Sequence, residues 1–384
     1  MSFRTPFLLL FLPFLLVAFL IASDPTMGSS LWSSSSSSLL SSKIDVDDKR
    51  DSVSTDIRNI TLIADDHAVM RISPDNLLHP GGMEYKMMTF NGTVPGPLLK
   101  FKENEWVRIT LINDCDLVHS INLHGITGPS QALSGPVGSG ENKTWILHVD
   151  SKAPSIFMYH CDADNLNGIW EHVGSGMYGS VLITSPTYDK KHPAAKEFYV
   201  TFSEIYNNAD KGLFKGTNGT IGSFDLGKFL EAKPDLILTN GMAYRYIPWI
   251  GSVSKIPLNN DAEIFHVKPN ELIRWYIVNA GPRKSVEFNF AAAMINVLYP
   301  PSSPSNQHMV DGMQHNNSSI YVNSTGSADR VDWSRYLISI PPGSGTIVET
   351  AFPEEGVYFG NDHDLASILY GSGFVVYAAD TGSS

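Results

Sequence analysis

The sequence predicts an all-β chain made of two similar Greek-key β-sandwiches in tandem, and three observations carry that expectation. A segment repeats: Lys102-Glu103-Asn104-Glu105, leading into a strand that ends at Asn113, recurs as Lys268-Pro269-Asn270-Glu271, leading into a strand that ends at Asn279. Both copies alternate apolar side chains, Val107, Ile109 and Leu111 in one and Ile273, Trp275 and Ile277 in the other, as half-buried strands do. An Asn-Gly hairpin turn stands upstream of each, Asn91-Gly92 and Asn240-Gly241, and no long amphipathic helical pattern interrupts the short strands. The copies also end alike, Gly179-Ser180-Val181-Leu182-Ile183 against Gly373-Phe374-Val375-Val376-Tyr377.

Taken in order, residues 1–24 hold an apolar run (6–22) behind Arg4, which reads as a secretory signal or a short membrane anchor. Residues 25–55 are a Ser-rich linker without core-forming capacity. The first sandwich is expected over 56–190 and the second over 191–380, a comfortable length for two domains in a chain of 384 residues. The leader implies an extracytoplasmic protein, secreted or held at a membrane by its N-terminus. Several N-x-[ST] triplets, Asn59, Asn91 and Asn142 among them, are compatible with surface glycosylation there. A hydrophobic content of 42% with only 17% charged residues fits a globular β-rich chain. The formal net charge of −12 argues against nucleic acid or an anionic lipid surface as partner.

Two short segments concentrate the chemistry. The first is His119-Ser120-Ile121-Asn122-Leu123-His124; the second opens Tyr159-His160-Cys161 and closes His172-Val173-Gly174-Ser175-Gly176-Met177. A thiolate, two imidazoles and a thioether (Cys161, His119, His172, Met177) make up the donor set of a blue-copper centre. His124 and His160 remain. Neighbouring side chains on a strand face opposite ways, so if Cys161 faces a metal inside its own sandwich, His160 faces outward. His119 and His124 are an odd number of residues apart and also diverge. Two metal sites result, joined through the Cys161–His160 peptide, which is a short electron path. With Cys161 a ligand, Cys115 has no disulfide partner and is expected to be a small buried residue. The second copy has Tyr358-Phe359-Gly360 in place of Tyr159-His160-Cys161, and Ser285 or Val286 in place of His119, so it cannot hold a blue-copper ion. It does offer His363, a natural third ligand for the site that has only two.

These motifs resemble the copper-containing nitrite reductases of the two-domain multicopper oxidase superfamily, over roughly residues 60–380. The run Phe90-Asn91-Gly92-Thr93-Val94-Pro95-Gly96-Pro97-Leu98 is similar to that family's opening strand and turn. The resemblance implies two cupredoxin domains and two coppers per chain. Type 1 copper would be held by His119, Cys161, His172 and Met177, and type 2 copper by His124 and His160 of one subunit with His363 of the next in a homotrimer. It further implies nitrite as a small inorganic substrate within nitrogen metabolism, and a small donor protein, a cupredoxin or a cytochrome. The acidic net charge suits a basic donor. Laccase-type members need H-x-H pairs and an H-C-H triplet; here Asp162 follows Cys161 and Ile126 stands two past His124, so a trinuclear cluster is not expected.

The match departs from the family at two positions. Where the family has a proton-moving Asp two residues before the first type 2 His, this chain has Asn122; where it has a His in the second domain, this chain has Asn289. Both are expected to line the pocket, but a neutral amide hydrogen-bonds without acting as acid or base. His308 and His315, in the loop 301–317, are candidates to supply protons instead. The interval from Cys161 to His172 is also slightly longer than typical, through residues 165–168. Other expectations stay open: the same coppers acting on hydroxylamine, nitric oxide or dioxygen, or a single-copper electron carrier.

Overall fold

A computed structural model describes residues 57–126, 135–163, 168–209, 221–250, 256–299, 320–322, 328–330 and 335–380. The expected signal and linker, His308 and His315, and residues 164–167 between Cys161 and His172 lie outside the described residues. Among the described residues no helix is long and apolar enough to cross a membrane.

The first sandwich comprises β1 (Arg58–Ser73), β2 (Met83–Phe90), β3 (Leu99–Lys102), β4 (Trp106–Asn113), β5 (Asn122–Leu123), β6 (Asn142–His148), β7 (Ser155–His160) and β8 (Tyr178–Thr184). One sheet runs β2-β1-β4-β6 and the other β3-β8-β7-β5. Helix α1 (Ile169–Gly174) interrupts the path from β7 to β8 and carries His172. A strand β9 (Lys196–Ile205) opens the second sandwich, followed by β10 (Leu236–Thr239) and a small hairpin, β11 (Trp249–Ile250) with β12 (Ile256–Pro257). Then come β13 (Phe265–Val267), β14 (Ile273–Gly281), β15 (Val286–Phe290) and β16 (Asn296–Tyr299). A second small hairpin joins β17 (Ile320–Val322) to β18 (Ala328–Arg330), and β19 (Leu337–Ile340), β20 (Ser344–Thr350), β21 (Gly356–Asp362) and β22 (Phe374–Ala378) complete the order. The two large sheets are β10-β9-β14-β20-β16 and β13-β22-β21-β15-β19.

The repeat is physical down to single hydrogen bonds. β1 pairs parallel with β4, and β9 pairs parallel with β14. Asn104 and Asn270 both adopt positive φ at the turn before the repeated strand. In each copy the Glu after that Asn accepts from the backbone N–H of the opening Lys, Lys102 to Glu105 and Lys268 to Glu271. The strands end on equivalent asparagines whose amides bridge two backbone carbonyls, Asn113 to Leu117 and Val137, Asn279 to Lys284 and Ile340. Such a buried amide replaces ladder bonds that the strand end would otherwise leave unmade.

Burial along the two copies differs, and the seam between the sandwiches explains why. In β4, Val107, Ile109 and Leu111 are buried while Trp106 and Ile112 are exposed. In β14 every residue is buried. Its Ile273, Trp275 and Ile277 pack in the second sandwich's own aromatic core. Tyr276 and Val278, on the other face, join a core shared with Met158, Tyr178 and Leu182 of the first sandwich. Both faces are covered, so the strand reads as an apolar run rather than a clean alternation. Residues 54–384 accordingly form one compact unit.

Gly241 sits at the tightest point of that seam. Its φ is +86°, and a Cβ there would lie 1.8 Å from the Val94 carbonyl oxygen. Gly241→Ala is therefore expected to cost more than about 2 kcal/mol, from backbone strain and overlap together, read as a lower denaturant midpoint. His79 flanks the same seam: it is 2% exposed, bonds through Nδ1 to Ser73 Oγ at 3.1 Å and lies against the Tyr244 ring. Burial pushes its pKa from 6.5 down to about 4. A depressed folded pKa gives stability that is complete above 6.5 and lost as pH falls toward 4, at most about 3 kcal/mol. Midpoints measured across that range should fall less steeply for His79→Asn than for the unmodified chain.

Candidate metal centres

Three of the four expected type 1 ligands converge. Cys161 Sγ stands 3.6 Å from His119 Nδ1 and 3.3 Å from His172 Nδ1, and the two imidazole nitrogens are 3.1 Å apart. An ion at the middle of that triangle would lie roughly 2 Å from each corner, close to ordinary metal–nitrogen and metal–sulfur lengths. His119 comes from the bridge to Val137, Cys161 from the end of β7 and His172 from α1, so three separate backbone supports fix the triangle. Met177 is fully buried in the same core, and its carbonyl accepts from Cys161 N at 3.1 Å, which ties the fourth expected ligand to the thiol's own backbone.

The electrostatics fit a metal-binding thiol. Burial pushes the Cys161 thiol up to about 11, even though the Ser120 and Ala163 N–H groups donate to its sulfur at 3.3 and 3.1 Å and favour the thiolate. A metal ion bound there would favour the thiolate further. Burial also lowers His172 to about 4, helped by His119, and lowers His119 against the opposing pull of Asp66. Neutral imidazole is the ligating form. Asp66 approaches His119 Nε2 at 3.8 Å. It was missed in the sequence because it is distant along the chain and follows no ligand spacing.

The second pair faces away from the first. His124 Nε2 and His160 Nε2 are 3.0 Å apart with the rings edge to face. β5 brings them together: Asn122 pairs with His160, and His124 N donates to Met158 O at 3.2 Å. Burial lowers His124 to about 4, with His160 adding to the effect, and lowers His160 as well. His160 and Cys161 thus diverge to different clusters, as the strand rule requires.

Of the three remaining positions, Asn122 pairs with His160, while His363 and Asn289 belong to the second sandwich. His363 follows β21 directly, is exposed, anchors its backbone N–H on Glu287 O and has the Tyr336 ring as a neighbour. Asn289 on β15 pairs with Asn361 of β21; it is 2% exposed and its Oδ1 has no hydrogen-bond partner. Asn122 is half-buried beside Asp162. Asp162 itself was read in the sequence only as the residue that excludes a trinuclear cluster. Its side chain is 1% exposed, with Oδ1 3.3 Å from His160 Nδ1. Burial pushes the carboxyl up to about 6, opposed by Asn122 and by His124. Cys115 is buried and free, its thiol pushed up to about 12, mainly by burial.

Known proteins share sequence and fold with this chain. A multicopper oxidase family model matches residues 71–188. The copper-containing nitrite reductase of Alcaligenes faecalis is 34% identical over 146 residues, 33% of this chain and 37% of that protein. The copper-containing nitrite reductase of Neisseria gonorrhoeae is 24% identical over 220 residues, 57% of this chain and 50% of that protein. The chain thus spans about half the length, or less, of these curated relatives. Among solved structures, copper nitrite reductase from Nitrosomonas europaea superposes with a TM-score of 0.63 at 23% identity, covering 85% of this chain and 95% of that one. The copper-containing nitrite reductase of Thermus scotoductus SA-01 gives 0.59 at 20% identity, over 85% and 63%. The chain therefore has the two-sandwich cupredoxin fold of these proteins, and its residues 71–188 match the multicopper oxidase family model and resemble the copper-containing nitrite reductases in sequence.

Proposed function

We propose that the chain is a copper-containing nitrite reductase that forms nitric oxide, working outside the cytoplasm as a homotrimer. One observation carries the reading: adjacent residues, His160 and Cys161, belong to two different clusters of ligating side chains. His119, Cys161, His172 and Met177 would hold type 1 copper; His124 and His160, with His363 of a neighbouring subunit, would hold type 2 copper. The metals, when bound, supply one-electron redox chemistry at the first centre and a Lewis-acidic open position at the second.

The chain's own part is positional. The buried triangle around Cys161 excludes water from the electron-accepting centre, and the Cys161–His160 peptide leads from it to the second cluster. Three imidazoles leave room for a small ligand, and the amides of Asn122 and Asn289 can orient a bound oxyanion by hydrogen bonds. Reduction of nitrite consumes one electron and two protons and releases water with nitric oxide. Two amides cannot deliver those protons, which keeps hydroxylamine, nitric oxide or dioxygen as a second substrate reading. Steady-state assays of the copper-loaded protein with each compound separate these readings. A small basic cupredoxin or cytochrome suits the acidic chain as donor.

Cys161→Ala is expected to bleach the visible charge-transfer band and reduce donor-driven turnover to background, while copper remains at the second site by magnetic resonance. His363→Ala is expected to keep the colour, lose turnover and drop the metal count from near two coppers per chain to near one. A count near one in the unmodified protein would instead identify an electron carrier.

A further inference from the structure

The side chain of Asp162 is sealed from solvent, yet neither of its carboxylate oxygens makes a hydrogen bond of normal geometry. Its backbone N–H donates to Ser120 Oγ at 3.0 Å, and Ser120 N in turn donates to the Cys161 sulfur. That clamp holds the main chain of Asp162 to the first cluster while its side chain is directed at the second. There Oδ1 lies 3.3 Å from His160 Nδ1, whose other acceptor is the Cys161 carbonyl at 3.1 Å. The carbonyl requires the hydrogen on Nδ1 and the nearby carboxylate favours it there, which leaves the Nε2 lone pair facing His124 Nε2. The Asn122 amide approaches the same carboxylate. An under-bonded buried carboxylate costs several kcal/mol relative to a neutral side chain, so packing alone does not account for it.

Resting on the nitrite reductase reading above, we infer that Asp162 is a positioning residue for the second copper: its carboxylate fixes the tautomer and orientation of His160 and turns the Asn122 amide toward the bound ligand. It acts on the metal through an imidazole, the arrangement in which a carboxylate behind a ligating His strengthens the ligand.

The test uses the full chain as Asp162→Asn and as the double variant Asn122→Asp/Asp162→Asn. Cupric ion is titrated into metal-free protein, with melting temperature, visible absorption and low-temperature magnetic resonance as readouts. Asp162→Asn is expected to leave the metal-free melting temperature unchanged or raised and the type 1 band intact. Its second-site cupric affinity should fall about 10- to 100-fold, with a changed type 2 signal. The double variant should recover at least part of that affinity. A metal-free protein that melts lower while the type 2 signal and affinity stay those of the unmodified chain would overturn the inference, because Asp162 would then be purely structural. Failure of the double variant to recover any affinity would also overturn it. Absence of a type 2 signal in the unmodified chain would instead overturn the two-copper reading, and this inference with it.

Discussion

Everything at the functional end of this chain depends on the pleat at the end of one strand. Because consecutive residues of extended backbone project to opposite faces, His160 at the end of β7 and Cys161 just after it do not serve one cluster, and each is met by a different histidine of the segment 119–124. A single-residue slip of β7 against β5 would exchange the two side chains and dismantle both clusters at once. Register here is held by the Asn122–His160 pairing, by the His124 to Met158 backbone bond and by Cys161 N bonding Met177 O. The same few bonds also set the distance between the clusters.

The duplicated architecture explains what the second sandwich is for. It keeps the repeat's turns, bridging asparagines and parallel pairing, yet lacks the thiol and the first histidine, so its interior is filled by aromatic packing. Trp275, Phe288, Phe290 and Phe374 pack against one another in that core. It is joined to the first sandwich by a shared core, and in the proposed trimer it would contribute His363, an exposed imidazole whose backbone N–H is held by Glu287 O.

The fold was legible because the repeat preserves strand alternation and turn chemistry together, and the side chains that cluster were legible because His119 to His124 and His160 to Met177 are short contiguous segments. Pairing of β1 with β4 and the full burial of β14 were not, since both depend on which surfaces the two sandwiches bury against each other. Asp66 was hidden for a related reason: it reaches His119 across a sheet, with no periodicity to announce it. Asp162 was visible as a letter but not as a buried group, because nothing local distinguishes a carboxylate that folds inward from one that faces water.

Unsatisfied polar atoms sharpen the point. Leaving a buried polar group without a partner costs about 1–3 kcal/mol, so native chains keep few. Several found among the described residues, Thr89 Oγ1, Trp275 Nε1 and Ser372 Oγ for example, have no evident link to either cluster. Asp162 and Asn289 differ. One lies beside His160, and the other lies on β15, whose neighbour β21 leads directly into His363. Among the described residues, Asn289 Oδ1 and both Asp162 carboxylate oxygens lack a hydrogen-bond partner of normal geometry. In the proposed trimer a second subunit would bring the surface carrying His363 to the histidines that Asp162 supports, so polar groups left incomplete within one chain would gain partners from the metal, its ligand or the neighbour. On that argument the unfinished hydrogen bonding of a single chain is a property of the shared site rather than a defect of packing.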